Sequence, residues 1–462
     1  MSPPSSSTRH RWLAWPICAA ALLASSPPAP ASPESDAVLA NFGPLEWIAG
    51  LNQQDASNTN SSEWLPEYEG LPATAANLSE PHSAIGDLQG NIYVADKNAH
   101  AIRRIDRAGL IHTVAGTNAP GFNGDGPART RQLNGPQNAY PLPDGSLYIL
   151  DTGNQRIRRI DPSGHMATLF SEPSNLSRGL WVQRDGNLVY YCTNTALKRW
   201  TPALGNNPGT TMAQGFSECG NIDVAQNGDV YLTDRGALAN DPTASQVFRI
   251  PANATPATFT PQRVAGTGGS ADSGPSANGT PALNTGLSGV RGIAFHPSGG
   301  YFLATHKGGD IWYVDRTGLI QMIVRGDNGN AHTIAPLPLP ATATTFIAEP
   351  RFVSVAPNGD LLLATNDAGF IRRARYLGPL PTPPTLAISP STSPAALPQL
   401  TWAPTGTLSW ILESSPLPSA DPWRCRLFGS GSSSPVQWTG PSPPAAGTPQ
   451  FYRLRLFRAW PN

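Results

Sequence analysis

The chain has 462 residues, 31 basic and 31 acidic side chains, no net formal charge and only 13% charged residues. That balance excludes the basic excess on which a nucleic-acid-binding surface depends. Its 45 glycines and 49 prolines, about a fifth of the chain, fall short of the level that argues for disorder and mark a turn-rich folded β protein.

Taken in chain order, Arg9 and Arg11 precede an apolar segment, Trp12 to Ala24, and Ala29-Pro30-Ala31 has the small-x-small form of a cleavage site. Residues 1–31 therefore read as a secretory signal peptide, and the protein as secreted, periplasmic or held at the cell surface. Cys18 leaves with that peptide. Trp15-Pro16-Ile17 lacks the small residue expected ahead of a lipoprotein cysteine. No other stretch reaches the ~18 apolar residues of a transmembrane helix. Residues 32–42 are expected to be a disordered lead-in.

From residue 43 a phrase repeats. A small turn followed by an alternating apolar run occurs at Gly90 (QGNIYVAD), Gly145 (DGSLYILD), Gly186 (DGNLVYYC), Gly228 (NGDVYLTD), Gly299 (SGGYFLAT) and Gly359 (NGDLLLAT). The shortest spacing, about forty residues, is that of a four-stranded propeller blade, and the longer gaps are insertions. Asp-Gly and Asn-Gly favour a two-residue hairpin turn, so each anchor joins strand a to strand b. Ile102-Arg103-Arg104-Ile105 and Ile157-Arg158-Arg159-Ile160 then form strand c, their arginines expected to lay aliphatic stems between blades with the heads in water. Residues such as His112 to Gly116 form strand d. The sixth unit stops after strand c, at Phe370 to Gly378. Its missing strand has a candidate in Pro44 to Gly50, which would close the ring and remove its free edges. The expected fold is all-β: a six-bladed β-propeller over residues 43–378 closed by an N-terminal strand.

The Gly-Asn turn, Tyr93-Val94-Ala95-Asp96, the Ile-Arg-Arg-Ile strand and Thr113-Val114-Ala115-Gly116-Thr117 resemble NHL repeats, closely in blades one and two, moderately in blade four and in outline elsewhere. The connector Ala115 to Pro136 resembles that family's long connector. The resemblance implies the propeller architecture and little about activity, since propellers host many functions.

A proline-rich linker, residues 379–398 with one strand in Thr385 to Ser389, leads to a small β-sandwich-like module over 399–462. The module resembles the fibronectin-type-III-like units that end many exported bacterial proteins, which implies attachment or spacing rather than chemistry. Export permits disulfides. In the propeller frame Cys192 ends strand b of blade three and Cys219 precedes strand a of blade four, on one face, so the two are placed to bridge. The alternative is two separate buried thiols, and Cys425 has no evident partner.

Long connectors before blades one, two, five and six fall on the face that carries the d-to-a loops, where insertions read as binding loops. Eight residues before each anchor, the start of strand a gives His82, Gln137, Arg178, Gly220, Arg291 and Arg351, with Asn138 and Asn221 one step deeper. Three arginines converging on one mouth point to a carboxylate, phosphate or sulfated group; the alternative pairs them with loop carboxylates such as Asp272 or Glu349. The expected function is an exported recognition scaffold, a monomer binding a protein, peptide or anionic glycan and no nucleic acid. The competing reading is a metal-dependent propeller enzyme, lactonase-like or amidating-lyase-like, with its site in the channel. His82 with Asn138 and Asn221 keeps a channel metal open. Against it, no two histidines share a zinc-pair spacing and no nucleophile elbow, phosphate loop or CxxC pair occurs. Gly121 to Gly126 around Asp125 lacks the terminal Glu of a calcium loop and reads as a tight turn. No catalytic residue, metal ligand or cofactor is assigned.

Overall fold

The computed structural model describes residues 32–51, 64–236, 245–256, 260, 262–267, 274–306, 309–326, 335–340, 347, 350–365 and 369–378, and six backbone strands beyond them. Six sheets of antiparallel strands make the blades. Their innermost strands are Pro81–Gly86, Asn138–Pro141, Leu176–Val182, Cys219–Val224, Val290–Phe295 and Pro350–Val355. Each touches the next around a closed cycle, the sixth meeting the first. The chain is a six-bladed β-propeller, and the innermost strands line its channel.

Closure comes from Phe42–Ala49, which pairs antiparallel with Phe370–Tyr376 as the outermost strand of blade six. Leu45, fully buried, lies opposite Ala374. The segment 32–42, expected to be disordered, instead contains the helix Pro33–Leu39. Ser32 caps it, accepting a hydrogen bond from the Ser35 N–H at 3.1 Å, and Val38 and Leu39 bury against Phe42, Leu45 and Val353. The apolar pair at the helix end supplies the burial that the short polar lead-in conceals.

The six anchor glycines all have positive φ, from 73° at Gly186 to 94° at Gly299. The turns they sit in are longer than the two-residue hairpins expected. In blade one, Gly90 N–H donates to Asp87 O and Asp87 N–H to Asn91 O, and the other blades repeat the scheme except blade three, where Gln183 N–H reaches one residue further, to Leu188 O. This is a type I turn ending in a left-handed residue, the other hairpin solution that needs glycine at one position.

At the channel the inner strands approach so closely that side chains are excluded in places. A Cβ on Gly220 would stand 3.0 Å from Arg291 O, and one on Gly292 3.0 Å from Val353 N. Side chains bridge the seams: Asn138 Nδ2 donates to Arg178 O, Ser177 Oγ to Cys219 O, Thr233 Oγ1 to Arg291 O and Ser354 Oγ to Ala84 O.

The arginine pairs of strand c divide in a way the sequence reading missed. Arg104, Arg159 and Arg373 are half-buried, but Arg103, Arg158 and Arg372 are wholly buried, heads included. Arg103 Nε donates to Asp96 Oδ2 at 3.3 Å, its Nη1 to Thr113 Oγ1 and its Nη2 to Asn118 Oδ1, with the Trp64 ring stacked on the guanidinium. Arg158 meets Asp151, Gly124 O and Asp125, which also accepts from the Thr168 N–H. A buried guanidinium needs such a set of acceptors, and in blades one and two the terminal Asp of strand b contributes to it.

The long connectors also differ from expectation. Each crosses its own blade and bonds to the outer edge. Gly126–Pro127 pairs with His165–Ser171 and Thr280–Pro281 with Leu319–Val324. Pro72 bridges Leu110, and Leu337 bridges Leu45. They cover edge strands.

Beyond the propeller, the strands Leu386–Ser389, Gln399–Trp402 and Val436–Thr439 pair in one three-stranded sheet, and Ser409–Ser415, Arg424–Ser430 and Phe451–Phe457 in another. The Cys425 side chain, the signal segment, Asp272 and Glu349 lie outside the described residues.

Candidate functional site at the channel mouth

The second residue of strand a is His82, Gly220, Arg291 and Arg351 in four blades, and all but the glycine bring a side chain to the mouth. Arg178 is the third residue of its strand, and Gln137 stands immediately before its own. Asn138 and Asn221 follow one step deeper, both buried. The inner strands thus bring Arg178, Arg291 and Arg351 together from blades three, five and six, close enough for the three guanidiniums to repel one another.

Four further residues complete the cluster. Glu218 precedes blade four, and its Oε1 takes Arg178 Nη1 at 3.0 Å, Arg235 Nη1 at 3.0 Å and Arg291 Nη2 at 4.0 Å. Glu80 precedes blade one. It takes Lys97 Nζ at 2.8 Å on one oxygen, and Arg351 Nη1 and His82 Nε2, each at 3.4 Å, on the other. The two acids hold their places through backbone: Asp234 accepts the Ser217 and Glu218 N–H groups, and Asp96 accepts the Ser79 N–H. Lys97 and Arg235 were not singled out from the sequence, yet both directly follow the terminal Asp of strand b (Asp96-Lys97, Asp234-Arg235). A basic residue there emerges on the same face as the start of strand a, which is the signal that would have found them.

Four arginines and one lysine therefore surround two carboxylates among the described residues, a local excess of three positive charges in a chain that is neutral overall. Arg291 bears the strain. It is 3% exposed, and its Nε and Nη1 have no hydrogen-bond partner among the described residues. Burial, with Arg178, Arg351 and Arg235 beside it, disfavours its charged form and lowers its pKa. A guanidinium does not give up its proton at ordinary pH, so the relief open to this site is a counter-anion. Burial raises the Glu218 carboxyl, but Arg178, Arg235 and Arg291 outweigh it and leave the group below the usual carboxylate range. Burial pushes His82 down to about 3, Arg178, Arg351 and Lys97 adding to the effect against the Glu80 hydrogen bond. The ring is neutral, with Nδ1 buried and unpartnered.

Cys192 and Cys219 are both fully buried and are not joined by a disulfide in this structure. Among the described residues no three His, Cys, Asp or Glu side chains gather as metal ligands, and no helix is long and apolar enough to cross a membrane.

No family model matches the chain. Two curated proteins are similar over part of it: teneurin-3 of Danio rerio, 33% identical over 127 residues and 24% of this chain, and SUPPRESSOR OF QUENCHING 1 of Arabidopsis thaliana, 34% identical over 85 residues and 18% of this chain. The match spans only 4% and 8% of those proteins. Among solved structures, an auxiliary nutrient binding protein of Bacteroides thetaiotaomicron superposes with a TM-score of 0.53 at 14% identity, covering 73% of this chain and 77% of that one. At that identity the likeness carries the fold alone: this chain is similar in architecture to other six-bladed propellers.

Proposed function

We propose that the protein is an exported recognition scaffold of the NHL type whose channel mouth takes an anionic group, a carboxylate or sulfate, presented by a glycan, peptide or protein. The observation that carries this reading is Arg291, a nearly buried guanidinium with two N–H-bearing nitrogens unpartnered among the described residues, beside three other arginines and the shared Glu218 carboxylate. An anion bridging Arg178, Arg235 and Arg291 would satisfy those donors with charge-assisted bonds and cancel the repulsion. The metal-enzyme alternative meets an obstacle in the same charges. His82 is neutral and its Nδ1 has no partner among the described residues, as a ligand requires, but a divalent cation beside it would face Arg178, Arg351 and Lys97.

Titration calorimetry of the purified protein against sulfated and carboxylated oligosaccharides, with their neutral parents as controls, tests the reading. Binding should appear for the anionic forms alone, weaken as salt rises, and drop at least about tenfold in Arg291→Ala, the loss of one charged hydrogen-bond set. Equal affinity for neutral and anionic sugars would overturn it.

A further inference from the structure

The seam between blades three and four is the one at which two cysteines meet. Cys192 is the fourth residue of strand b in blade three and Cys219 the first of strand a in blade four. Cys219 N–H donates to Asn194 O at 2.8 Å, two residues past Cys192, and Ser177 Oγ donates to Cys219 O. Gly179 lies between the strands with no room to spare: a Cβ there would stand 2.7 Å from Cys192 Sγ and 3.1 Å from Gly220 O. Gly179 thus sets the Cys192 sulfur against the strand that begins at Cys219. The strand-b residues equivalent to Cys192 in blades one and two are Ala95 and Leu150.

We propose that Cys192 and Cys219 form a disulfide that staples blade three to blade four directly beneath the mouth. Glu218 adjoins Cys219, and the strand of Cys192 pairs with the strand that carries Arg178, so the staple ties the acid to the blade that presents its arginine. The oxidant is a small-molecule or protein disulfide. One cysteine thiolate attacks it and releases a thiolate, leaving a mixed disulfide on the protein. The second cysteine, having lost its proton, attacks the protein sulfur of that mixed disulfide and expels the other thiolate. Two protein thiols become one cystine, one disulfide oxidant becomes two thiols, and the two protons go to those thiols. Neither sulfur is exposed in the folded ring, and burial holds the Cys219 thiol far above its usual range. Oxidation therefore belongs to folding, before the seam closes. The inference is independent of the anion reading, because it concerns the covalent state of the seam and not its ligand.

The test is refolding of the full chain from denaturant in a glutathione redox buffer, acid quench, alkylation under denaturing conditions without reductant, and peptide mapping by mass spectrometry. A peptide pair joining Cys192 to Cys219, lighter than the two free peptides by two hydrogens and released by dithiothreitol, is the expected result. Alkylation of both residues before reduction, or linkage of either one to Cys425, would overturn the proposal. The oxidised wild type should also lose on the order of 5 °C of thermal midpoint when dithiothreitol is added, the scale of one disulfide in a domain of this size, and Cys192→Ala should show no such drop. A midpoint indifferent to reductant in protein shown by mapping to be linked would remove the stapling role. The mapping uses wild-type protein, so it decides the linkage even where the variant folds poorly.

Discussion

His82 is kept neutral at a place where its neighbours are mostly cations. It has an unfolded pKa near 6.5 and a folded value of about 3, so between those limits the unfolded chain binds one proton more than the folded one. Its contribution to stability is therefore present above pH 6.5 and is lost as pH falls, by about 1.4 kcal/mol per unit. Asp223, raised to about 7 by burial at the seam where it accepts the Phe295 N–H, has the opposite sign over most of that range, and Asp151, raised to about 6, does so over part of it. The group is isolated by difference. The urea midpoint of His82→Asn, measured from pH 4 to 6.5, should depend on pH less steeply in the acid-sensitive direction, by about one proton. Parallel profiles for the two proteins would show that His82 titrates normally. A second residue-scale expectation concerns Asp96, fully buried between Arg103 and the Ser79 N–H. Asp96→Ala leaves Arg103 buried without its counter-charge and should cost about 3–5 kcal/mol, read by chemical denaturation; a loss under 1 kcal/mol would mean that Thr113, Asn118 and Trp64 suffice. The three mouth arginines were legible because each lies a fixed count before a glycine. Glu80 and Glu218 were not, because they stand on connectors whose course depends on capping by Asp96 and Asp234, a contact from a different strand.

The closing strand shows how much an element can reveal and conceal at once. Its match to the strand-d phrase was visible in Glu46-Trp47-Ile48-Ala49-Gly50, and the pairing with Phe370–Tyr376 follows it. What did not show was that a connector would bond to its outer side: Leu45 N–H donates to Leu337 O at 2.7 Å and Leu337 N–H returns to Leu45 O at 3.1 Å. All four long insertions make such an edge contact, a role with no local pattern because the partner strand lies far away in sequence. Leu45 is thus enclosed on both flanks and fully buried, and Leu45→Ala should lower stability by about 2–5 kcal/mol. Because the strand alone closes the ring, the loss should appear in one cooperative transition. An early separate transition confined to blade six would show that closure is local fraying and not a property of the ring.

At the scale of the molecule, a chain with no net charge concentrates, among its described residues, an excess of three positive charges at one end of its channel, and stability and recognition are expected to compete there. Arg291 is the residue on which the competition turns, since its burial and its three like-charged neighbours outweigh the one distant carboxylate oxygen at 4.0 Å. Replacing it by leucine removes a charge that is desolvated without full pairing, and a well-packed apolar side chain in such a place is often neutral or stabilising. In dilute buffer Arg291→Leu should therefore have a thermal midpoint equal to or above that of the wild type. Sulfate or a sulfated glycan should raise the wild-type midpoint through preferential binding to the folded state, beyond the rise that sulfate gives any protein by exclusion from its surface. That ligand-specific increment, measured against the variant at matched ionic strength, should vanish in Arg291→Leu. A variant less stable than the wild type in dilute buffer and equally responsive to sulfate would show that the four arginines are balanced by the protein's own carboxylates, and the mouth would then be a structural ion network with no room for a ligand's charge.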